Sequence, residues 1–296
     1  MNHVIIYLLI VFGLIGVSVF AFLNYVIFRA FHFEHVAEKT PPDKKTFNYR
    51  ENLIPTENGK KIHIYDLNPE FRGKLTIVAL HGWANNALIF LPIAENLKNK
   101  ARIFLVNARN HGKSDEEKMM TILKFEADLR HAINYVKETV GSDATIIALG
   151  HSMGAAASIL TAADDDRVDG VVSISAFADI RQIMYQGFLS HRMPAWFARL
   201  IIFYIGLRLG RSLDEISPKF SIQRFQKPIL LIHGTEDPLV PFDDLKILEE
   251  NAQRTNAESF AAHGHNHSSL LKDREVALKI KEFLEKYFTL GNRSQS

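Results

Sequence analysis

Apolar residues fall along this chain in two regimes. Near the amino terminus they are nearly continuous. No charged side chain stands between Val4 and Phe28, and Ser18 and Asn24 are mild interruptions. These 25 residues exceed the roughly 20 that a helix needs to cross a hydrocarbon core. Tyr7 and Tyr25 lie toward the two ends, where membrane interfaces collect aromatic rings. A cleaved signal has an apolar stretch of roughly 7–15 residues, Lys or Arg before it and a small-residue triplet after it. None of these features is met here. Residues 1–30 are therefore expected to form an uncleaved transmembrane anchor, with a buried helix of the globular part as the alternative. Arg29, Lys39, Lys44, Lys45 and Arg50 all follow the stretch, which favours a cytoplasmic position for the rest of the chain. Residues 31–46, with Pro41, Pro42 and three lysines, read as a tether.

In the second regime the pattern alternates. Two short strand-like runs, 47–54 and 61–66, flank a turn at Glu57-Asn58-Gly59-Lys60, which predicts a hairpin. Further β-rich runs follow at 75–80, 101–106, 144–149, 168–174, 228–232 and 257–262. Several are apolar on successive residues, as strands buried on both faces of a parallel sheet are. Helical periodicity separates them at about 87–98, 121–139, 153–163, 242–254 and 273–288. Leu129, Ile133 and Val136 share a helix face with Ala132 and Val140; Val276, Ile280, Phe283, Leu284 and Tyr287 share another. Alternating strands and helices predict an α/β fold with a mainly parallel, doubly wound sheet over residues 47–290, leaving 291–296 as a tail.

One interval breaks the rhythm. Residues 177–226 contain no clear strand and read as an α-helical cap insertion. Within it, 193–210 carries Trp196, Phe197, Leu200, Ile201, Phe203 and Tyr204, with Arg199, Arg208 and Arg211 nearby. That is more apolar bulk than one helix face needs. The expectation is a mobile apolar cover over a site, with Trp196 and Phe197 facing substrate; ordinary packing of a large cap is the alternative.

Composition narrows the chemistry. With 47% apolar and 23% charged residues the chain is neither disordered nor low-complexity. It has no Cys, so thiolate metal sites, disulfides and a cysteine nucleophile are excluded. The formal charge is +2, and Lys44-Lys45 and Lys60-Lys61 are isolated pairs, so no nucleic-acid partner is expected. There is no P-loop and no G-x-G-x-x-G, and no cofactor is expected.

The strongest local signal is Gly150-His151-Ser152-Met153-Gly154, a G-x-S-x-G between a strand-like run and a helical one. So sharp a turn strains its middle residue, and the flanking glycines remove side chains that would collide. The hydroxyl of Ser152 is then presented as a nucleophile at the carboxyl edge of the sheet. A serine needs a base, and the base an orienting acid. Past the run at 228–232 lie Glu236 and Asp237, of which Asp237 is preferred because Pro238 follows and favours turn geometry. Past 257–262, the loop Ala262-His263-Gly264-His265-Asn266-His267-Ser268 offers three histidines. His267, nearest the final helix, is preferred; His265 is the alternative base. His81, His151 and His233 directly follow strands and read as hydrogen-bonding support. The loop His81-Gly82-Trp83 is a candidate oxyanion hole, with the backbone N–H groups of Trp83 and Met153 as donors. Trp83 could equally be plain core.

With these residues in place the chain resembles the α/β-hydrolase superfamily, in its serine esterase and lipase branch. The resemblance covers about 47–288 and rests on His81-Gly82, the elbow 150–154, Gly234-Thr235-Glu236-Asp237-Pro238 and the late histidine. Arg109-Asn110-His111-Gly112-Lys113-Ser114 also looks like that superfamily's loop after the fourth strand, with Asn107 and Asn110 where Asp and Gly are usual. The superfamily's pattern of strand, Pro-Gly-x-Gly-His and helix places its base on His267, with Asn266 where the second glycine is common. The resemblance implies a catalytic Ser152, Asp237 and His267.

Other chemistries compete for the same residues. Alternating His263, His265 and His267 suggest a metal site, but the H-x-H-x-D-H run of metal hydrolases needs an Asp where Asn266 stands. Dehalogenase or epoxide-hydrolase chemistry needs an Asp in place of Ser152. An inactive scaffold is the non-enzyme reading. The same triad also serves acyl thioesters and acyl transfer. An anchor and an apolar cap favour a membrane-anchored enzyme that hydrolyses acyl or lipid esters, with no metal.

Overall fold

A computed structural model describes residues 2–32, 34–38, 40–253 and 256–288; the expected tail at 291–296 lies outside the described residues. Helix α1 spans Asn2–Phe31 and is followed by the hairpin β1 (Tyr49–Pro55) and β2 (Lys61–Leu67). Then come β3 (Leu75–Leu80), α2 (Leu91–Leu97), β4 (Arg102–Asn107), α3 (Ile122–Val140), β5 (Thr145–His151), α4 (Met153–Asp164) and β6 (Val168–Ile174). Between β6 and the next strand lie α5 (Ile180–Ser190), α6 (Ala195–Arg208) and the single turn α7 (Pro218–Ser221). The chain continues through β7 (Ile229–Gly234), α8 (Asp243–Asn251), β8 (Ala257–Ala262) and α9 (Arg274–Phe288).

Among the described residues the strands form one eight-stranded sheet in the order β1-β2-β4-β3-β5-β6-β7-β8. Only the β1–β2 and β2–β4 pairings are antiparallel; β4, β3, β5, β6, β7 and β8 run parallel. This is the mainly parallel α/β architecture that the alternating pattern predicts. Every residue of β3 and β7 is buried, Thr76 and His233 included, as strands covered on both faces are. On one face Phe125, Leu129 and Ile133 of α3 join Ile159 of α4 and Leu248 of α8. On the other, Ile93 of α2 meets Val276, Ile280, Phe283 and Leu284 of α9. The parallel strands all point their carboxyl ends to one edge, and the loops there carry the candidate site.

The interval at 177–226 is helical. Asp179 caps α5 by accepting the Arg181 N–H at 2.8 Å, a helix start that the apolar pattern of the interval does not announce. Ala198, Ile201, Ile202 and Ile205 of α6 pack with Ala156 and Leu160 of α4 into a third apolar cluster, so part of this segment is core. Leu23, Val26, Ile27 and Phe31 of α1 lean on the same cluster. Residues 3–22 of α1 are exposed throughout.

The segment between α1 and β1 is fastened to the domain. Val36 pairs with the loop after β4, its N–H donating to Asn110 O at 2.8 Å and its carbonyl accepting from Gly112 at 2.9 Å. Glu38 accepts from Tyr65 Oη and from Asn107 Nδ2, each at 2.6 Å. An aspartate at 107 would face the Glu38 carboxylate, which accounts physically for the amide there.

Candidate active site

Strand β5 runs straight into α4, and Ser152 sits at the junction with φ 54° and ψ −116°. Positive φ in a non-glycine residue of this kind costs on the order of 1–3 kcal/mol. Two glycines make the junction possible. A Cβ on Gly150 would lie 2.2 Å from Gly154 O, and one on Gly154 would lie 1.9 Å from Leu80 O. The elbow is therefore wedged against the end of β3 with no room for another atom. The Ser152 N–H donates to Ile174 O at 2.8 Å, tying the strained residue to β6. Met153 begins α4, so its N–H belongs to the helix-end donors that lack an intrahelical acceptor.

The loop after β3 lies against this elbow. A Cβ on Gly82 would be 2.9 Å from Ser152 Cβ and 3.2 Å from His151 Nδ1. Two buried histidines fix that loop. His81 receives the Ala108 N–H on Nε2 at 3.2 Å, so its Nδ1–H is the donor to Gly82 O at 2.8 Å. Burial, and then the neighbouring His111, hold its pKa well below the usual histidine value, consistent with this neutral tautomer. His111 Nε2 contacts Trp83 O at 2.6 Å, fixing the peptide beyond. The Trp83 ring stacks on Phe125 at 6.2 Å, so its side chain is partly core. Behind the loop, Arg109 is wholly buried and its Nε lies 2.9 Å from Asp128 Oδ1. Asp128 sits on the buried face of an otherwise amphipathic α3, and a charged residue at that phase is the signal in the sequence for this pair.

Asp237 lies just past β7. Its Oδ1 accepts the N–H groups of Leu239 and Val240 at 2.9 and 3.0 Å. Its Oδ2 receives His267 Nδ1 at 2.7 Å and faces His233 Nε2 at 3.3 Å. Burial alone would raise the carboxyl pKa. The hydrogen bonds from His233, His267 and the Val240 N–H outweigh it and hold the group well below the usual carboxylate range. An ionised Asp237 makes Nδ1 of His267 the protonated nitrogen and leaves Nε2 with its lone pair.

The three loop histidines are separated. His265 Nδ1 contacts Ser269 Oγ at 3.2 Å and its Nε2 lies 3.3 Å from Asp273. His263 is exposed. Glu236 is exposed too, its N–H donating to His265 O at 3.0 Å. His267 alone of the three reaches Asp237 among the described residues. Its carbonyl accepts from His151 Nε2 at 2.7 Å, and the two rings lie 4.8 Å apart. His267 is thus coupled through its backbone to the residue before Ser152. Ser152 Oγ makes no hydrogen bond among the described residues; nucleophile and base in resting hydrolases are often loosely spaced and close up on substrate.

Of the cap residues expected to face substrate, Trp196 and Phe197 both lie off the buried face of α6. Trp196 is 69% exposed. Phe197 stacks on Phe22 of α1, with ring centroids 6.0 Å apart. The reason is helical phase. Ala198, Ile201 and Ile205 take the inward face of α6, which turns Trp196 outward and Phe197 sideways.

Known proteins resemble this chain in sequence and in fold. A sequence model of the alpha/beta hydrolase fold matches residues 76–216. YqkD, an uncharacterized protein of Bacillus subtilis (strain 168), is 27% identical over 79% of this chain and 78% of its own. The protein bem46 of Schizosaccharomyces pombe is 26% identical over 73% of this chain and 70% of its own. Among solved structures, the esterase Pf2001 of Pyrococcus furiosus superposes with a TM-score of 0.70 at 20% identity, covering 86% of this chain and 98% of that one. With the sheet order, the elbow and the matched sequence model in agreement, the chain has the α/β-hydrolase fold.

Proposed function

We propose that this chain is a membrane-anchored serine hydrolase that cleaves carboxylic esters of acyl or lipid type. The carrying observation is the 2.7 Å contact between His267 Nδ1 and Asp237 Oδ2 on the loops that border the Ser152 elbow. That the esterase Pf2001 shares the fold supports the reading. Ser152 Oγ attacks the ester carbonyl while His267 Nε2 takes its proton. Charge on the carbonyl oxygen is met by the N–H groups of Met153 and Trp83. Collapse expels the alcohol, which leaves with the proton from His267. The acyl-Ser152 ester is then attacked by water, with His267 again as base, releasing the carboxylic acid and restoring the serine. Residues 47–290 form the catalytic domain with its cap at 177–226. In the same reading α1 is the anchor, and the basic residues that follow it put the domain on the cytoplasmic side.

The test is labelling of the full chain in detergent with a fluorophosphonate. Wild type should be labelled and should hydrolyse short soluble esters. Ser152→Ala should lose both while keeping its thermal midpoint. Labelling of Ser152→Ala at the wild-type level would remove Ser152 from the reaction.

A further inference from the structure

Helix α6 is apolar on two opposite faces. Ala198, Ile201, Ile202 and Ile205 are buried in the cap core. Opposite them, Trp196, Leu200, Phe203 and Leu207 follow at intervals of four, three and four residues and form one outward stripe. These side chains are 69%, 44%, 64% and 66% exposed, a patch of a kind that soluble surfaces seldom present. The question is what covers it.

Helix α1 supplies the answer through the angle at which it meets α6. Phe22 of α1 stacks on Phe197. Two positions later, Asn24 Nδ2 lies 3.3 Å from Tyr204 Oη, and its Oδ1 accepts from Arg208. At about 1.5 Å per residue, contacts from 197 to 208 cover about 16 Å of α6, whereas 22 to 24 cover about 3 Å of α1. The two helices therefore cross steeply. The crossing also falls at a particular level. Residues 3–22 of α1 are exposed, about 30 Å of helix, which matches the thickness of a hydrocarbon core. From Leu23 onward α1 packs on the domain. A bilayer spanned by residues 3–22 thus ends where α6 begins, and α6 lies along its surface. The outward stripe points away from the domain core. Arg199 flanks the stripe, stacked over the Tyr185 ring at 5.6 Å and without a carboxylate partner among the described residues. It lines a groove of about 610 Å³ between α5 and α6, walled also by Arg181, Phe203 and Leu207. A cation beside exposed aromatic and aliphatic side chains suits the headgroup layer of an anionic leaflet, whereas Arg181 is already paired with Asp214.

We propose that α6 is a second membrane-contact element. Its Trp196–Leu200–Phe203–Leu207 stripe is immersed in the interfacial layer of the leaflet that α1 enters, with Arg199 at the level of the lipid phosphates. The cap is then not a free-moving cover in water but a surface seated on the bilayer. This inference rests on the reading of α1 as an anchor.

The full chain, reconstituted into vesicles of phosphatidylcholine and phosphatidylglycerol with bromine on acyl carbons near the headgroup, tests it. Trp196 and Trp83 are the two tryptophans of the chain. Bromine should quench the wild-type emission, and most of that quenching should disappear in Trp196→Phe. Phe203→Ser combined with Leu207→Ser should weaken the quenching while leaving turnover of a short soluble ester unchanged. Flotation of the same samples at high salt separates the two levels of inference. Protein that fails to float with the vesicles overturns the anchor reading and this proposal with it. Protein that floats but shows equal quenching in wild type and Trp196→Phe overturns the proposal alone. So does a chemically cross-linked dimer through Trp196, which would make a second copy the occupant.

Discussion

His267 Nδ1 stands 2.7 Å from Asp237 Oδ2, while His265, two residues earlier, turns to Asp273 at 3.3 Å. The same loop thus gives one imidazole a carboxylate behind the elbow and the other a carboxylate at the start of the last helix. His267→Ala should lower kcat on a soluble ester by orders of magnitude, and His265→Ala by far less. Asp237→Asn should cost on the order of 10⁴ in kcat, because an amide facing Nδ1 favours the wrong tautomer. Steady-state kinetics of the three variants check this. A dead His265→Ala beside a near-normal His267→Ala would assign the base to the wrong residue.

What separates those two histidines was not legible from their spacing. The loop turns because Asn266 Oδ1 accepts the Ser268 and Ser269 N–H groups at 3.1 and 3.0 Å and Gly264 adopts φ 73°. That geometry decides which ring faces Asp237, and a run of alternating histidines does not encode it. The elbow, by contrast, was legible because its strand, glycines and helix are contiguous in sequence. The α/β order was legible for a similar reason, since each strand and helix carries its own period. Helix α6 shows the limit. With apolar residues all round, its periodicity has no phase, so the sequence could not say that Trp196 faces outward. Nor could it foresee Phe22 meeting Phe197 across the chain.

The strain at Ser152 makes a stability prediction that separates backbone from hydroxyl. Ser152→Ala keeps the Cβ and hence the cost of φ 54°. Ser152→Gly removes that cost, about 1–3 kcal/mol, against roughly 0.4–1 kcal/mol of added freedom in the unfolded chain. The glycine variant should therefore be more stable than the alanine variant by about 1 kcal/mol, and both should be inactive. Thermal midpoints of the two give the difference; an alanine variant at least as stable as the glycine one would mean that the elbow is unstrained.

Two glycines should respond oppositely to the same substitution. A Cβ on Gly154 meets the Leu80 carbonyl at 1.9 Å and the His81 carbonyl at 2.5 Å, neither of which can retreat without moving β3. Gly154→Ala should cost about 1–3 kcal/mol or more. Gly187 lies within α5 with nothing within 4 Å of the added carbon. Gly187→Ala should gain about 0.5–1 kcal/mol. Thermal midpoints shifting in the same direction would contradict the packing described for the elbow.

The last prediction concerns His151, which connects the elbow to His267. Its Nε2 donates to the His267 carbonyl, and its Nδ1 is buried without a hydrogen-bond partner among the described residues. Burial, and then the facing His267, bring its pKa from 6.5 down to about 4, with His233 adding to the effect and Asp237 opposing it. Between those two values the unfolded chain binds a proton that the folded chain does not. Stability therefore rises with pH across the window and is lost as pH falls from about 6.5 toward about 4. The loss amounts to at most about 3 kcal/mol. His151→Gln keeps an amide donor for the His267 carbonyl but cannot titrate. The thermal midpoint of wild type should drop between about pH 7 and about pH 4.5. That of His151→Gln should drop less. His81 and His111, whose pKa values are also depressed, remain in both proteins and cancel in the comparison. Equal drops in the two proteins would mean that the His151 ring reaches water, and that it does not hold His267 from inside the core.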